Sequence, residues 1–339
     1  MRALQARRFA IDGLTLSEID RPVPRRGEIL VRVRAASLNY RDLAILCGGY
    51  MPQLPLPYTP CSDACGVVEA VGEDVSRFRV GERVIPVYIQ GWRDGALTPE
   101  QRNGGSLGGP LTGVLQDYVV VPAEDAVAAP DYLDDDQAST LPIAALTAWS
   151  CLQQGRLQAG QTVLVQGTGG VALFAAQFAR AAGARVIGLT SSDAKAALLR
   201  SLGVDTVINY RHTPAWGQSV REATGGRGVD IVVETTGSSL SESLTAVRFN
   251  GFVGVVGFVG GMETSLNIRQ LIGPMIRMQG VVVGSRAALE AMIRMMALHQ
   301  IRPLIDSRFP LAQAAEGFAR MQRGEHSGKI VIKVDNTSQ

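Results

Sequence analysis

Between residues 162 and 284 the chain alternates short β-branched apolar runs with stretches of helical periodicity. Strands are predicted at 162–166, 185–189, 206–209, 229–234, 252–257 and 281–284, and helices between them at 171–182, 194–202 and 239–247. Near-continuous apolar strands separated by helices belong to a parallel sheet covered on both faces. This part of the chain therefore reads as a doubly wound α/β domain.

The first 125 or so residues follow another pattern. Short strands at 28–34, 66–71 and 82–86 are punctuated by Gly and Pro, which suits a compact, mostly antiparallel β domain. From residue 287 the chain offers an amphipathic helix, a second helix near 312–320 and a closing strand at 329–334. A closing strand needs a sheet to join, and the economical arrangement returns the C-terminal segment to the N-terminal domain. A length of 339 residues likewise exceeds one ordinary core. Residues 336–339 read as a frayed tail.

The segment 88–116 holds seven glycines together with Trp92 and Arg102. A connection of this length is a lid, a binding loop or an interface element on one reading, and a mobile surface excursion on the other.

Composition narrows the function classes. With 46% hydrophobic and 19% charged residues the chain is globular, and a net charge of +2 leaves no electrostatic footprint for nucleic acid or an anionic membrane. No apolar run approaches the roughly 18 residues of a membrane span, and the opening residues lack the apolar core of a secretory signal. Four cysteines (Cys47, Cys61, Cys65 and Cys151) form no disulfide framework in a chain this size, so a reducing, cytoplasmic setting is expected.

The chemistry begins at Gly167-Thr168-Gly169-Gly170-Val171-Ala172, set between the apolar run 162–166 and a small-residue helix. Strand, glycine turn and helix together aim backbone N–H groups and a helix N-terminus at a pyrophosphate. The flanking strand and helix are the context that lifts this pattern above a chance glycine turn.

With these features in place the chain resembles the medium-chain dehydrogenase/reductase superfamily. The matching segments include Gly27-Glu28-Ile29-Leu30-Val31-Arg32-Val33, Asn39-Tyr40-Arg41-Asp42, Gly66-Val67-Val68-Glu69-Ala70-Val71-Gly72, Gly81-Glu82-Arg83-Val84, Leu146-Thr147-Ala148-Trp149, Asn209-Tyr210 and Gly328-Lys329-Ile330-Val331. The resemblance implies a GroES-like catalytic domain over 1–144, completed by 286–339, and a dinucleotide-binding Rossmann domain over 145–285. In the zinc branch of the superfamily, metal ligands fall at positions that match Asn39, Tyr40, Ser62, Asp63 and the neighbourhood of Ile143, and one carboxylate is all that survives here. Segment 88–116 has none of that branch's four structural cysteines, and His212, His299 and His326 lie elsewhere. The chain is thus most similar to the zinc-independent quinone and enoyl reductases, and no metal site is expected.

A dinucleotide of the NAD type calls for a carboxylate at the end of the second strand. Hydroxyls stand there instead, and Ser191, Ser192, Lys195 and Tyr210 make a seat for a 2′-phosphate. NADP(H) is therefore the preferred cofactor and NAD(H) the alternative. On the competing reading Ser192 or Asp193 caps the next helix, Lys195 is solvated, and Asp193 faces the ribose. The resemblance adds Thr147, Thr236, Gly237, Gly257, Phe258, Val259, Gly284, Ser285 and Lys329 as cofactor contacts.

Without a metal, charge developing on an acceptor oxygen must be met by ordinary side chains. Asn39 and Tyr50 are the candidates, as an amide donor and a phenol that can relay a proton, with Tyr40 lining the pocket. Alternatively, Tyr50 and Tyr58 cover the underside of a proline-rich loop, and Arg41 with Asp42 forms an ion pair or a helix cap. The expected partner is a small electrophile, reduced by hydride transfer. The resemblance also implies a homodimer joined through the edge at 280–284.

Overall fold

The computed structural model describes residues 1–334 and divides them into two units, residues 1–146 with the chain from 284 onward, and residues 147–283. The tail read at 336–339 lies outside the described residues.

The unit 147–283 is built on six parallel strands: Thr162–Gln166, Arg185–Thr190, Thr206–Asn209, Val229–Glu234, Val247–Val255 and Arg277–Gly280. Across the sheet they run third, second, first, fourth, fifth, sixth. The first and fourth strands are central and buried along their whole length, which is why their apolar residues do not alternate with exposed polar ones. The helices include Gly170–Ala181, Asp193–Ser201, Trp216–Ala223 and Leu240–Ala246, and the hydrophobic core includes Leu164, Val220, Val232 and Leu244.

Two strands differ from the sequence reading. The fifth begins at Val247, and the sixth is Arg277–Gly280 rather than the apolar run 281–284. The sixth lies at the sheet edge, where every residue of it is exposed, so polar side chains are accommodated. Its successor Val281 still donates its N–H to Val255 O at 2.9 Å, continuing the ladder one step beyond the strand.

The other unit carries a seven-stranded sheet. Glu28–Ser37 pairs antiparallel with Asp63–Val71, with Tyr118–Pro122 and with the closing strand Lys329–Lys333, which in turn pairs parallel with Ile305–Pro310. The C-terminal segment thus does return to the N-terminal sheet. Its helix Ala314–Gln322 buries Phe318 and Met321 in the same core as Ile29, Val31 and Ile332. Segment 88–116 is neither featureless nor detached. It buries Ile89, Leu107, Val114 and Leu115 and contains the helix Pro99–Gly104. Among the described residues no helix is long and apolar enough to cross a membrane.

Candidate active site and cofactor cradle

In the parallel-sheet unit, the first strand ends at Gln166 and the chain turns through Gly167 at φ +80°, a conformation that favours glycine. The helix Gly170–Ala181 then starts behind Gly169, which has no side chain with which to cap its first N–H groups. A Cβ placed at Gly167 or Gly169 would meet nothing within 4 Å. Open space in front of uncapped N–H groups fits the pyrophosphate of a nicotinamide dinucleotide. The neighbouring Thr168 is buried and Val171 half-buried.

The C-terminal ends of adjacent strands converge on this turn. Thr235 N–H donates to Gln166 Oε1 at 3.0 Å, and Gly260 N–H donates to Thr236 O at 2.8 Å. A Cβ at Gly257 would come within 2.6 Å of Thr235 O, so glycine there lets the segment carrying Phe258 and Val259 lie against Thr236 and Gly237. The strand order reverses between the first and fourth strands, where open α/β sheets bind ligands.

Sequence reasoning missed the group that organises this place. Glu234, fully buried at the end of the fourth strand, accepts from Thr236 N at 2.9 Å, Thr236 Oγ1 at 2.7 Å and Gly237 N at 3.0 Å through Oε1. Its Oε2 accepts from Gln166 Nε2 at 2.8 Å and from the hydroxyls of Ser239 and Ser243. A second acid, closing a strand that already holds Asp230 among valines and isoleucine, was the available signal.

At the end of the second strand Ser192 caps the helix Asp193–Ser201, its hydroxyl accepting from Lys195 N at 3.4 Å. Asp193 accepts from Asn209 Nδ2 at 3.2 Å. Ser191 is half-buried and Tyr210 exposed, and Tyr210 N–H is held to Thr190 O at 3.0 Å. Thr147 Oγ1 donates to Val282 O at 2.9 Å. Gly284, Ser285 and Lys329 belong to the other unit, where Ser285 caps the helix Arg286–Leu298.

In that other unit the antiparallel pairing of the closing strand with Glu28–Ser37 sets Lys329 beside Asn39, 290 residues away in sequence. The Lys329 ammonium is buried and donates to Leu38 O and to Asn39 Oδ1, both at 2.6 Å. An ammonium offers no lone pair, so the Asn39 amide must present its oxygen to it and turn its nitrogen away. Asn39 Nδ2 lies near enough to Asp63 to favour its charged form, yet makes no well-aligned hydrogen bond.

Asp63 accepts from Ser62 Oγ at 2.9 Å and from Ile143 N at 3.0 Å. Burial pushes the Asp63 carboxyl up, countered by Lys329, Asn39, Ser62 and Ile143 N–H. Burial lowers the affinity of Lys329 for its proton, opposed by Asp63, Asp42 and Cys61. Asp42 is pushed up to about 6, again by burial, against the pull of Arg41.

Arg41 and Asp42 both have partners within this unit. Asp42 accepts from Asn39 N at 2.9 Å at the start of the helix Tyr40–Leu46, whose first residue, Tyr40, is exposed. Arg41 donates to Leu107 O at 3.1 Å and Gly109 O at 2.7 Å and lies over the Tyr88 ring, so it fastens segment 88–116 to this helix. From that segment Arg102 donates to Tyr50 Oη at 2.9 Å. Tyr58 is buried beneath the loop with its ring near Phe9, whereas Tyr50 is half-buried.

Residues 25–131 match the family model described as alcohol dehydrogenase GroES-like domain, and residues 170–298 that described as zinc-binding dehydrogenase. A zinc-type alcohol dehydrogenase-like protein of Schizosaccharomyces pombe is 38% identical, with 91% of each chain covered. Human quinone oxidoreductase is 29% identical, with 93% of this chain and 92% of that protein covered. The crystal structure of a putative alcohol dehydrogenase from Sinorhizobium meliloti superposes with a TM-score of 0.92 at 41% identity, covering 98% of both chains.

Zinc is named in two of those descriptions, that of the second family model and that of the Schizosaccharomyces pombe protein. Among the described residues no group of three or more His, Cys, Asp or Glu side chains is arranged to hold a metal ion. Asn39, Ser62, Asp63 and Ile143 are joined to one another and to Lys329 by the hydrogen bonds and charge contacts just described.

Proposed function

The chain belongs to the medium-chain dehydrogenase/reductase superfamily of NAD(P)-dependent oxidoreductases, and on that footing we propose that it reduces quinones, enones, aldehydes or ketones with NADPH and without catalytic zinc. A reduced nicotinamide dinucleotide, when bound, supplies the hydride. The glycine turn, Thr236-Gly237 and Gly257-Phe258-Val259 hold it, and Ser191, Lys195 and Tyr210 receive the 2′-phosphate.

The observation that carries the metal-free reading is the Asn39–Lys329 pair. Lys329 fixes the amide so that its N–H groups are turned from the ammonium, and a cation backs that amide inside a buried site. Such a donor stabilises charge developing on an acceptor oxygen. Tyr50, held by Arg102, is the second donor and the proton relay. Tyr40 lines the pocket.

We further propose that the enzyme is a homodimer. The exposed edge strand Arg277–Gly280 and the exposed side chains of Ile268, Ile272 and Met275 favour association there. Four free cysteines favour a reducing cytoplasm.

The test is a panel of quinones, enones and carbonyl compounds assayed with NADPH and NADH in parallel. Turnover with NADPH by protein lacking stoichiometric zinc is expected. Stoichiometric zinc with chelator-sensitive turnover would replace this reading by an alcohol dehydrogenase, and tight NADPH binding without turnover by a cofactor sensor.

A further inference from the structure

Buried charges need compensation, and the cluster around Lys329 can be assessed group by group. Asp42 has Arg41 at 3.5 Å. Among the described residues no arginine or lysine forms an ion pair with Asp63, and the charged group that holds its proton affinity down is Lys329. Burial lowers the proton affinity of Lys329, and Asp63 and Asp42 in turn oppose that fall. Lys329, Asp63, Asp42 and Cys61 are all buried, so solvent screens none of these interactions fully. The result is one buried lysine, bonded to Asn39, set among the positions that match metal ligands in the zinc branch.

We propose that the Lys329 ammonium is the resident cation of this site: it balances Asp63, fixes the Asn39 amide, and thereby keeps divalent metal ions out. Lys329 acts as a positioning residue, through Asn39, and rests on the metal-free reading given above. The geometry excludes a second occupant. A divalent ion approaching Asp63 would stand against an ammonium that cannot move into solvent without leaving both of its 2.6 Å acceptors, Leu38 O and Asn39 Oδ1. Like charges brought together in a poorly screened interior repel strongly.

The converse follows. The site should accept a metal once donors are supplied and the ammonium is removed, and supplying donors alone should not suffice. The experiment uses the full chain and Co2+ as the probe, read by the visible bands of the tetrahedral ion and by elemental analysis. Donors are supplied by Asn39→Cys with Ser62→His, Asp63 being kept. That double variant is made with Lys329 native, with Lys329→Arg and with Lys329→Met, and far-ultraviolet circular dichroism verifies folding of each.

Uptake of Co2+ at least tenfold tighter with Lys329→Met than with either cationic residue is expected. The Arg variant separates charge from packing, since it changes the shape of the site and keeps its sign. Equal uptake in all three backgrounds, or none in any, would overturn the proposal. Stoichiometric zinc in the unaltered protein would instead overturn the metal-free reading on which it rests.

Discussion

Replacing Glu234 by Gln tests whether one buried carboxylate holds the mouth of the parallel sheet in shape. The two carboxylate oxygens are not equivalent. Oε1 serves the backbone N–H groups of Thr236 and Gly237, which cannot rotate away, so the glutamine oxygen must occupy that place. The new amide nitrogen then replaces Oε2 and faces Gln166 Nε2, a donor against a donor. Turning the Gln166 amide over would relieve this but would lose its bond from Thr235 N. One unsatisfied buried donor costs about 1–3 kcal/mol, and removing the charge from two backbone hydrogen bonds costs about 1 kcal/mol each, so the total is about 3–5 kcal/mol. At about 2–4 °C per kcal/mol for a domain of 150–250 residues, Tm should fall by roughly 10 °C. Differential scanning fluorimetry of the ligand-free protein measures the loss. Fluorescence titration with NADPH and with 2′,5′-ADP then separates the two ends of the cradle. Affinity for the whole dinucleotide should drop more than affinity for the adenine fragment, because Glu234 shapes the segment at Thr236 and not the end of the second strand. A Tm change under about 2 °C together with unchanged NADPH affinity would refute the reasoning.

Three further outcomes follow from the same geometry. Gly169→Val should leave stability within about 0.5 kcal/mol, since φ −73° suits any residue and its Cβ meets open space, yet weaken NADPH binding at least tenfold by filling the cradle; thermal melts and titrations measure both. Lys195→Ala should weaken NADPH by about 1–3 kcal/mol while leaving NADH unchanged, measured as the ratio of the two dissociation constants. Asp42, pushed from 3.8 up to about 6, binds its proton more tightly folded than unfolded, so its contribution to stability is full below pH about 4 and is lost as pH rises to about 6, a fall of up to about 3 kcal/mol; denaturant titrations across that window should show the slope reduced in Asp42→Asn.

Much of the fold was legible because the central strands of a parallel sheet carry short unbroken apolar runs. The strands at 162–166, 206–209 and 229–234 fall where the sequence puts them. The sixth strand slipped because an exposed edge is specified by pairing with its neighbour rather than by hydrophobicity. The glycine turn was readable as a local motif. The cluster in the other unit was not: its central contact joins Lys329 to Asn39 across the whole chain, and only the register of the closing strand brings them together. Ser192 shows the limit of composition in another way, because the same hydroxyl that could meet a phosphate caps a helix here. Arg41 shows it too, since nothing local reveals that its guanidinium reaches Leu107 and Gly109.

The most direct measurement is turnover by protein whose metal content is known. The purified enzyme is dialysed against a strong chelator, zinc is quantified by elemental analysis, and NADPH oxidation is followed with a quinone and an enone. The account predicts zinc far below one equivalent per chain and a kcat unchanged by the treatment. Turnover that disappears on chelation and returns in proportion to added zinc would contradict it.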